Sequence, residues 1–450
     1  MQTLSNLLSQ EHQQFLDSHA RSMALSQRSK SHFLYGAPLH WMSDWSTPHL
    51  VHIAQANGHR LLDVDGNSYI DLCLGDTGAM FGHHPSAVHA VLQDSHTPFT
   101  TMLPSAQLDA LGDALQHRFN LPFWQITLSA SDANRFLIRW VRAITRRSKI
   151  LVFDGCYHGA VDDTLVDWSP QTGVTPRASL LGEVYSHAEQ TVVVPFNDVS
   201  AVASALASRD VACVLAEPAL TNCGLVLPDP DFWSQVQALC QSIGTRLIFD
   251  ETHTLSTGLG GYRLQHGIDV DAVVMGKAIA GGWPCGVYGF SEQMAQEMLD
   301  AKSQAASGHS GIGTTLSGGA MTIQALLASL ENLHQPSSYR AMLNAAHTLH
   351  IGLQQILQKH QRLWQVTQLG ARMEIQFCRT APRNAQDARD AQHESLEQYI
   401  HLFMLNRGVL LTPFHNMMLC APSLGASDID QVLQHWDHCL TVLKDVDLNN

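Results

Sequence analysis

Six short apolar runs recur between residues 125 and 275, separated by polar or helix-spaced stretches. This alternation constrains the fold more than any other feature of the chain. The runs are 125–128, 149–153, 191–195, 211–216, 246–249 and 272–275. Each has strand length and is rich in β-branched and large apolar residues. Segments 107–119, 132–145 and 232–243 carry apolar residues at helical spacing instead. Strands alternating with helices predict a mostly parallel sheet covered by helices. Runs with no polar face suit strands buried on both sides. Open sheets of this kind bind ligands beyond the carboxyl ends of their strands, so the loops after these runs are where chemistry is expected.

The ends of the chain follow other patterns. Residues 1–30 are polar with Leu4, Leu7, Leu8 and Phe15 at helical spacing, which predicts an amphipathic arm that packs on the body or on a partner subunit. Residues 50–73 read as two strands around the turn Asp65-Gly66-Asn67. A helix over 320–333 leads out of the alternating region. Beyond it come helices over 339–360, 394–406 and 428–443 and a strand over 370–377, an α+β arrangement. Segment 379–392 is polar without apolar periodicity and reads as a surface loop. The expected division is an arm and part of a small domain at 1–75, a large domain at 76–334 and a C-terminal small domain at 335–450.

Composition excludes several classes. The 450 residues are 45% hydrophobic and 15% charged, the balance of a globular enzyme. A formal charge of −14 argues against nucleic acid or an anionic membrane as the main partner. Arg146-Arg147-Ser148-Lys149 is too short to reverse that and reads as a polar helix end. The 26 histidines are scattered, without a zinc-ligand spacing, so no metal is expected. His83-His84 precedes a proline and reads as a turn. The nine cysteines contain no C-x-x-C pair and read as reduced thiols. No apolar run has the length of a membrane span, and the first residues lack a signal-peptide block. The expectation is a soluble cytoplasmic protein.

The chemistry centres on Lys277, a lone lysine between Val273-Val274-Met275-Gly276 and Ala278-Ile279-Ala280-Gly281-Gly282. An apolar setting disfavours the ammonium and so favours the nucleophilic amine, which can form a Schiff base with an aldehyde. Asp250 ends another apolar run and offers the carboxylate that a pyridinium nitrogen needs. Together they point to a pyridoxal phosphate site.

Several further motifs come in order along the chain. Phe249-Asp250-Glu251-Thr252-His253-Thr254 precedes Lys277. Phe153-Asp154-Gly155-Cys156-Tyr157-His158-Gly159 follows the second apolar run. Ser129-Ala130-Ser131-Asp132-Ala133-Asn134 opens a helix, and Gly313-Thr314-Thr315-Leu316-Ser317-Gly318 follows the lysine. Through these the chain resembles the class III (ω-type) aminotransferases over roughly residues 35–445. The branch it is most similar to holds amino-acid transaminases and aminomutases.

The resemblance implies an α/β fold, the fold type I of the aspartate aminotransferase superfamily. That fold has a large domain with a mostly parallel seven-stranded sheet and a smaller α+β domain. It also implies a homodimer with active sites shared between subunits. In that family the residue matching Lys277 holds the cofactor as an aldimine and then carries a proton. Asp250 would keep the pyridine nitrogen protonated, and Tyr157 would stack on the ring. Ser129, Ala130 and Ser131 would cradle the phosphate at a helix N-terminus. Alanine stands there where the family usually has glycine, and alanine takes up positive φ less readily. Thr315 would reach the phosphate of the neighbouring subunit. Glu217, in Glu217-Pro218, would help hold the cofactor or the Asp250 region.

The substrate is less legible. Many relatives carry an N-terminal arginine that pairs with a substrate carboxylate. The corresponding stretch here, Tyr35-Gly36-Ala37-Pro38-Leu39-His40-Trp41-Met42, has none. His40, Trp41 and His158 are the substrate-binding candidates. Gly75-Asp76-Thr77-Gly78-Ala79-Met80 would line the entrance. Arg263 and Arg407 are the other arginines considered, and His415 and Asn416 read as a polar loop. The first functional reading is a transaminase that moves an amino group between an amine or amino acid and a keto acid or aldehyde by a ping-pong route. The alternative is an aminomutase, of the glutamate-1-semialdehyde type, or a racemase. A third is a homologue that binds the cofactor without catalysis.

Overall fold

The computed structural model describes residues 3–446 apart from 95, 184, 185 and 309. Two compact units make up the chain. One comprises Met1–Pro85, Ser337–Ala381 and Ala391–Asn450, the other Ser86–Pro336 and Pro382–Asp390. The division therefore falls after Pro85 and Pro336, against the expected 75 and 334.

The second unit is built on seven strands: β1 (Phe123–Thr127), β2 (Lys149–Phe153), β3 (Thr191–Val194), β4 (Val211–Ala216), β5 (Arg246–Asp250), β6 (Ala272–Met275) and β7 (Gly286–Phe290). Their order is β1-β7-β6-β5-β4-β2-β3. Strands β3, β2, β4, β5 and β6 pair in parallel. Strand β7 is antiparallel to both β6 and β1, so it alone runs against the other six. Every residue of β4, β6 and β7 is buried, as expected for strands covered on both faces.

The apolar runs found in the sequence supply all of these strands except β7. Two glycines, Gly286 and Gly289, weaken its strand signal. The physical reason for Gly289 is close approach. A Cβ there would lie 2.6 Å from the ring of Trp124, its partner on β1.

Helix α1 (Ala130–Thr145) buries Ala133, Phe136, Leu137 and Val141, one face at helical spacing. It begins where Ser129, in extended conformation, accepts the Asp132 N–H at 3.2 Å. Helix α2 (Phe232–Ile243) stops at Gly244, which takes the left-handed conformation. Its Trp233 ring packs 4.6 Å from Phe249 of β5 and 5.8 Å from Phe153 of β2. Strand β5 ends in Asp250 and β2 leads into the turn that carries Tyr157 and His158, so the aromatic cluster ties together two strands that deliver candidate site residues.

The stretch expected to be a surface loop, 379–392, contains the helix Ala385–Asp390. Its buried Ala385 packs where a Cβ on Gly155 would sit, 2.6 Å away, and Arg389 pairs with Asp154 at 2.6 Å. A single short turn buries too few apolar residues to show periodicity, which is why the pattern missed it.

In the first unit, the N-terminal arm forms helices Leu4–Ser18 and Ala20–Ser29, with Leu4, Leu7 and Phe15 buried. Met1 and Gln2 lie outside the described residues. The turn at Asp65-Gly66-Asn67 joins Arg60–Asp63 to Ser68–Asp71 as an antiparallel pair. Helices Pro336–Lys359, Glu394–Leu405 and Ala426–Val442 pack with these strands and with Arg372–Gln376 around Tyr399, Phe403 and Trp436. No helix among the described residues is long and apolar enough to cross a membrane. The nine cysteines carry free thiols, most of them buried.

Candidate active site

Five of the co-directional strands end on one edge of the sheet, and the motif residues follow directly from them. Asp250 is the last residue of β5. Lys277 comes two residues after β6. Tyr157 and His158 follow β2, Ser129 and Ser131 follow β1, and Glu217 follows β4.

Asp250 is buried and fully engaged. Its Oδ2 accepts from Asn134 Nδ2 at 2.8 Å and lies 3.0 Å from His158 Nδ1, while Oδ1 accepts the Thr252 N–H at 3.2 Å. Burial favours the neutral acid. The His158 ring, Thr252 and Asn134 outweigh it and hold the carboxyl below its ordinary range. Burial likewise opposes charge on His158. The Cys156 sulfur and the Asp250 carboxylate outweigh it, and the ring is pushed up to about 10. His158 is thus placed as the support of Asp250, beneath the site. It was expected as a substrate contact, and its burial against that carboxylate gives it a different role in the geometry.

That pair makes a pH-dependent contribution. His158 has its affinity raised from an ordinary 6.5. The stability it adds is present in full below about pH 6.5 and is lost as the pH climbs through 10. In protein stripped of cofactor, the gap in thermal midpoint between wild type and His158→Gln is expected to be widest near neutrality and to close in alkali. A gap that stays constant with pH would count against the ion pair.

Lys277 adopts φ of +48°, a left-handed conformation uncommon for a residue with a Cβ. Directly before it, Gly276 lies against the start of α1, where an added Cβ would come 2.8 Å from Ala130 Cβ. The phosphate-loop candidates are equally close-packed. Ser131 Oγ accepts the Ala160 N–H at 3.1 Å, and a Cβ on Gly159 would lie 2.0 Å from that oxygen. The concern over Ala130 resolves simply: it is the first helical residue, and Ser129 before it is extended, so neither position needs a glycine.

These features suit a flat cationic ring with a dianionic tail. A buried carboxylate stands ionised at the end of β5, and the first turn of α1 offers N–H groups and the positive end of its dipole. Tyr157 is 43% exposed, leaving a ring face open. Its N–H is held by Glu217 Oε1 at 2.9 Å. Thr315 is exposed, beside Thr314, whose hydroxyl meets Ser317 Oγ at 2.8 Å.

His40 and Trp41 belong to the other unit. His40 opens the 3-10 turn His40–Ser43 and is exposed. Trp41 meets Phe414 edge-on at 6.3 Å and lines an apolar cavity of about 520 Å³ with Trp45, Leu61 and Tyr69. Both alternative arginines are committed within their own units. The guanidinium of buried Arg263 donates to the Phe119 carbonyl, and its backbone N–H donates to Glu251 Oε1 at 2.6 Å. Arg407 pairs with Glu11 at 2.9 Å and lies over the Phe403 ring. His415 and Asn416 lie in a turn, as expected of a loop, with Asn416 buried and His415 half-buried 3.0 Å from Glu374.

Sequence reasoning gave no role to Asn134, Thr221 or His253. Asn134 and His253 lie inside motifs already singled out. Thr221 carries no local signal, because its importance depends on a turn that brings it back to Glu217.

Comparison with known proteins agrees with this geometry. The model of the family "Aminotransferase class-III" matches residues 41–440, and the chain belongs to that family. It is a pyridoxal phosphate-dependent enzyme of fold type I.

It is 40% identical to the solved structure of a glutamate-1-semialdehyde-aminomutase from Pseudomonas aeruginosa PAO1, covering 98% of each chain with a TM-score of 0.95. Among curated proteins, it is 29% identical over 403 residues to the glutamate-1-semialdehyde 2,1-aminomutase of Sulfurihydrogenibium azorense, covering 87% of this chain and 92% of that one. The enzyme of the same name from Methanopyrus kandleri is 31% identical, over 80% of this chain and 84% of its own. An omega-transaminase from Sphaerobacter thermophilus shares the fold, with a TM-score of 0.83 at 24% identity, over 93% of this chain and 97% of its own.

Proposed function

We propose that this chain is a pyridoxal phosphate-dependent aminomutase, which moves an amino group between adjacent carbons of one substrate. Glutamate-1-semialdehyde is the substrate to which its relatives point. The observation that carries the reading is the 40% identity, over nearly the whole length, to a protein described as that aminomutase. The transaminase reading, placed first from the sequence, takes second place. The structures described as transaminases share less than 25% identity and speak to fold alone.

The residues have distinct tasks in this reading. Lys277 Nζ would hold the cofactor through its aldehyde group, and its amine would take and return the proton at the substrate carbon. Asp250, kept ionised by His158 and Asn134, holds a proton on the ring nitrogen. Tyr157 covers one ring face, and Glu217 fixes Tyr157 through its backbone. Ser129, Ala130 and Ser131 present the first turn of α1 to the phosphate. The bound cofactor supplies the electron sink that makes the substrate C–H acidic. His40 and Trp41 remain the substrate-binding candidates of the N-terminal segment. Two copies would form the enzyme, with each copy's Thr315 helping to hold the phosphate of the other's cofactor. Exposure of that threonine supports this assembly, and sedimentation at twice the 49.4 kDa chain mass tests it.

The deciding experiment gives purified holoenzyme glutamate-1-semialdehyde with no keto acid present. Conversion to the isomer bearing its amino group on the adjacent carbon, followed by NMR, is the expected result. Turnover that starts only when a keto acid is added would return the chain to the transaminases.

A further inference from the structure

A buried chain of hydrogen bonds runs from Lys277 to Glu217. Lys277 Nζ contacts His253 Nε2. His253 Nδ1 lies 2.6 Å from Thr221 Oγ1, and that hydroxyl donates to Glu217 Oε2 at 2.5 Å. The three residues beyond the lysine are only 7%, 4% and 3% exposed.

The direction of the chain follows from counting protons. A threonine hydroxyl has one hydrogen, and Thr221 gives it to Glu217. It must therefore accept from His253 Nδ1–H. An imidazole protonated at Nδ1 presents the Nε2 lone pair, and that lone pair faces Lys277. Each donor along the chain points away from the lysine and toward the carboxylate.

Glu217 ends the chain as a buried carboxylate held by several donors. It also takes the N–H groups of Tyr157 and Thr221 and the side-chain amide of Asn222. Burial, the largest influence, pushes its affinity for a proton up and outweighs charged His158 and the Thr221 and Tyr157 donors, which favour the carboxylate.

We propose that His253, Thr221 and Glu217 form a proton relay serving Lys277 Nζ, with His253 a catalytic residue and Thr221 and Glu217 positioning residues. This rests on the reading of Lys277 as the reactive amine. When the lysine sheds a proton, it passes to His253 Nε2. The Nδ1 proton moves to Thr221 Oγ1, and the threonine's own proton moves to Glu217 Oε2. One proton leaves Lys277 and one arrives at Glu217. Only N–H and O–H bonds change, and an ammonium–carboxylate pair becomes a neutral pair. The reverse sequence recharges the amine. An aminomutase needs such resetting, because one lysine must serve two adjacent carbons within a turnover while bulk water is kept away.

The test uses full-length His253→Gln, His253→Gly, Thr221→Val and Thr221→Ser. In protein stripped of cofactor, trace acetylation of Lys277 is measured by peptide mass spectrometry against exposed Lys444. It is expected to slow in His253→Gln and Thr221→Val and to be preserved in Thr221→Ser. In holoenzyme, His253→Gln is expected to lose about a hundredfold in turnover, the scale of one general acid–base group. Added imidazole is expected to restore part of the loss in His253→Gly. Unchanged acetylation in both His253→Gln and Thr221→Val overturns the relay, even where activity falls. The acetylation arm needs no substrate, so it decides the relay even if wild type fails to isomerise glutamate-1-semialdehyde.

Discussion

Replacing Lys277 with alanine is expected to reduce turnover by about 10⁴-fold or more, because one residue supplies both the anchoring amine and the travelling proton. The backbone gives this substitution an unusually clean reading. Lys277 sits at φ +48° at the end of a fully buried strand, with Gly276 pressed against the first turn of α1. Alanine meets the same steric cost there as lysine, so the strained conformation is neither relieved nor worsened. What disappears is the amine and its contact with His253. The thermal midpoint should therefore stay close to that of wild type while isomer formation falls to background. Substantial turnover by a folded Lys277→Ala protein would remove the lysine from the mechanism and, with it, the relay behind it.

The sheet and the placing of the candidate site residues at its edge were legible in the sequence for the same reason. Strands buried on both faces must be short and apolar, and the residues that end them stand at the edge where ligands bind. Asp250, Lys277, Tyr157 and Ser129 each follow such a run, so reading the runs located them. Strand β7 escaped because Gly289 answers to Trp124 and Gly286 to Thr127 and Ser129 across the pairing, tertiary requirements with no period. The helix at Ala385–Asp390 escaped because it buries only two alanines, of which Ala385 answers to Gly155 in the turn after β2. His253 stood inside a recognised motif, yet its role requires Thr221, 32 residues away. The order of transaminase and aminomutase could not be read from the reacting residues, which both reactions use alike. It came from similarity along the whole chain. The missing carboxylate anchor was legible as an absence at residues 35–42. The structure sharpened that absence by showing the guanidinium of Arg263 bonded to the Phe119 carbonyl and that of Arg407 paired with Glu11.

Asp250→Asn is expected to lower kcat by about a thousandfold, the scale lost when a preorganised electrostatic partner is removed, with much less change in KM. The argument lies in counting acceptors. Asp250 offers two oxygens, one facing the Asn134 amide and the His158 Nδ1–H, the other the Thr252 N–H. An asparagine keeps the shape but turns one of those oxygens into a donor, so in either orientation N–H meets N–H. A buried donor left unpaired costs about 1–3 kcal/mol, so a lower denaturation midpoint should accompany the kinetic loss. The pH dependence distinguishes charge from shape. Burial raises the Asp250 carboxyl, but His158, Thr252 and Asn134 hold it below its ordinary 3.8. The stability of the ionised form is thus present above that value and is lost as the pH falls through the lowered one. The midpoint gap between wild type and variant should accordingly be full at neutral pH and narrow in acid. With the anion gone, His158 loses one of the two groups that hold its proton, so the alkaline loss of stability should begin at lower pH in the variant. An Asp250→Asn enzyme within tenfold of wild type, or one whose midpoint gap ignores pH, would mean that the charge at this position is dispensable.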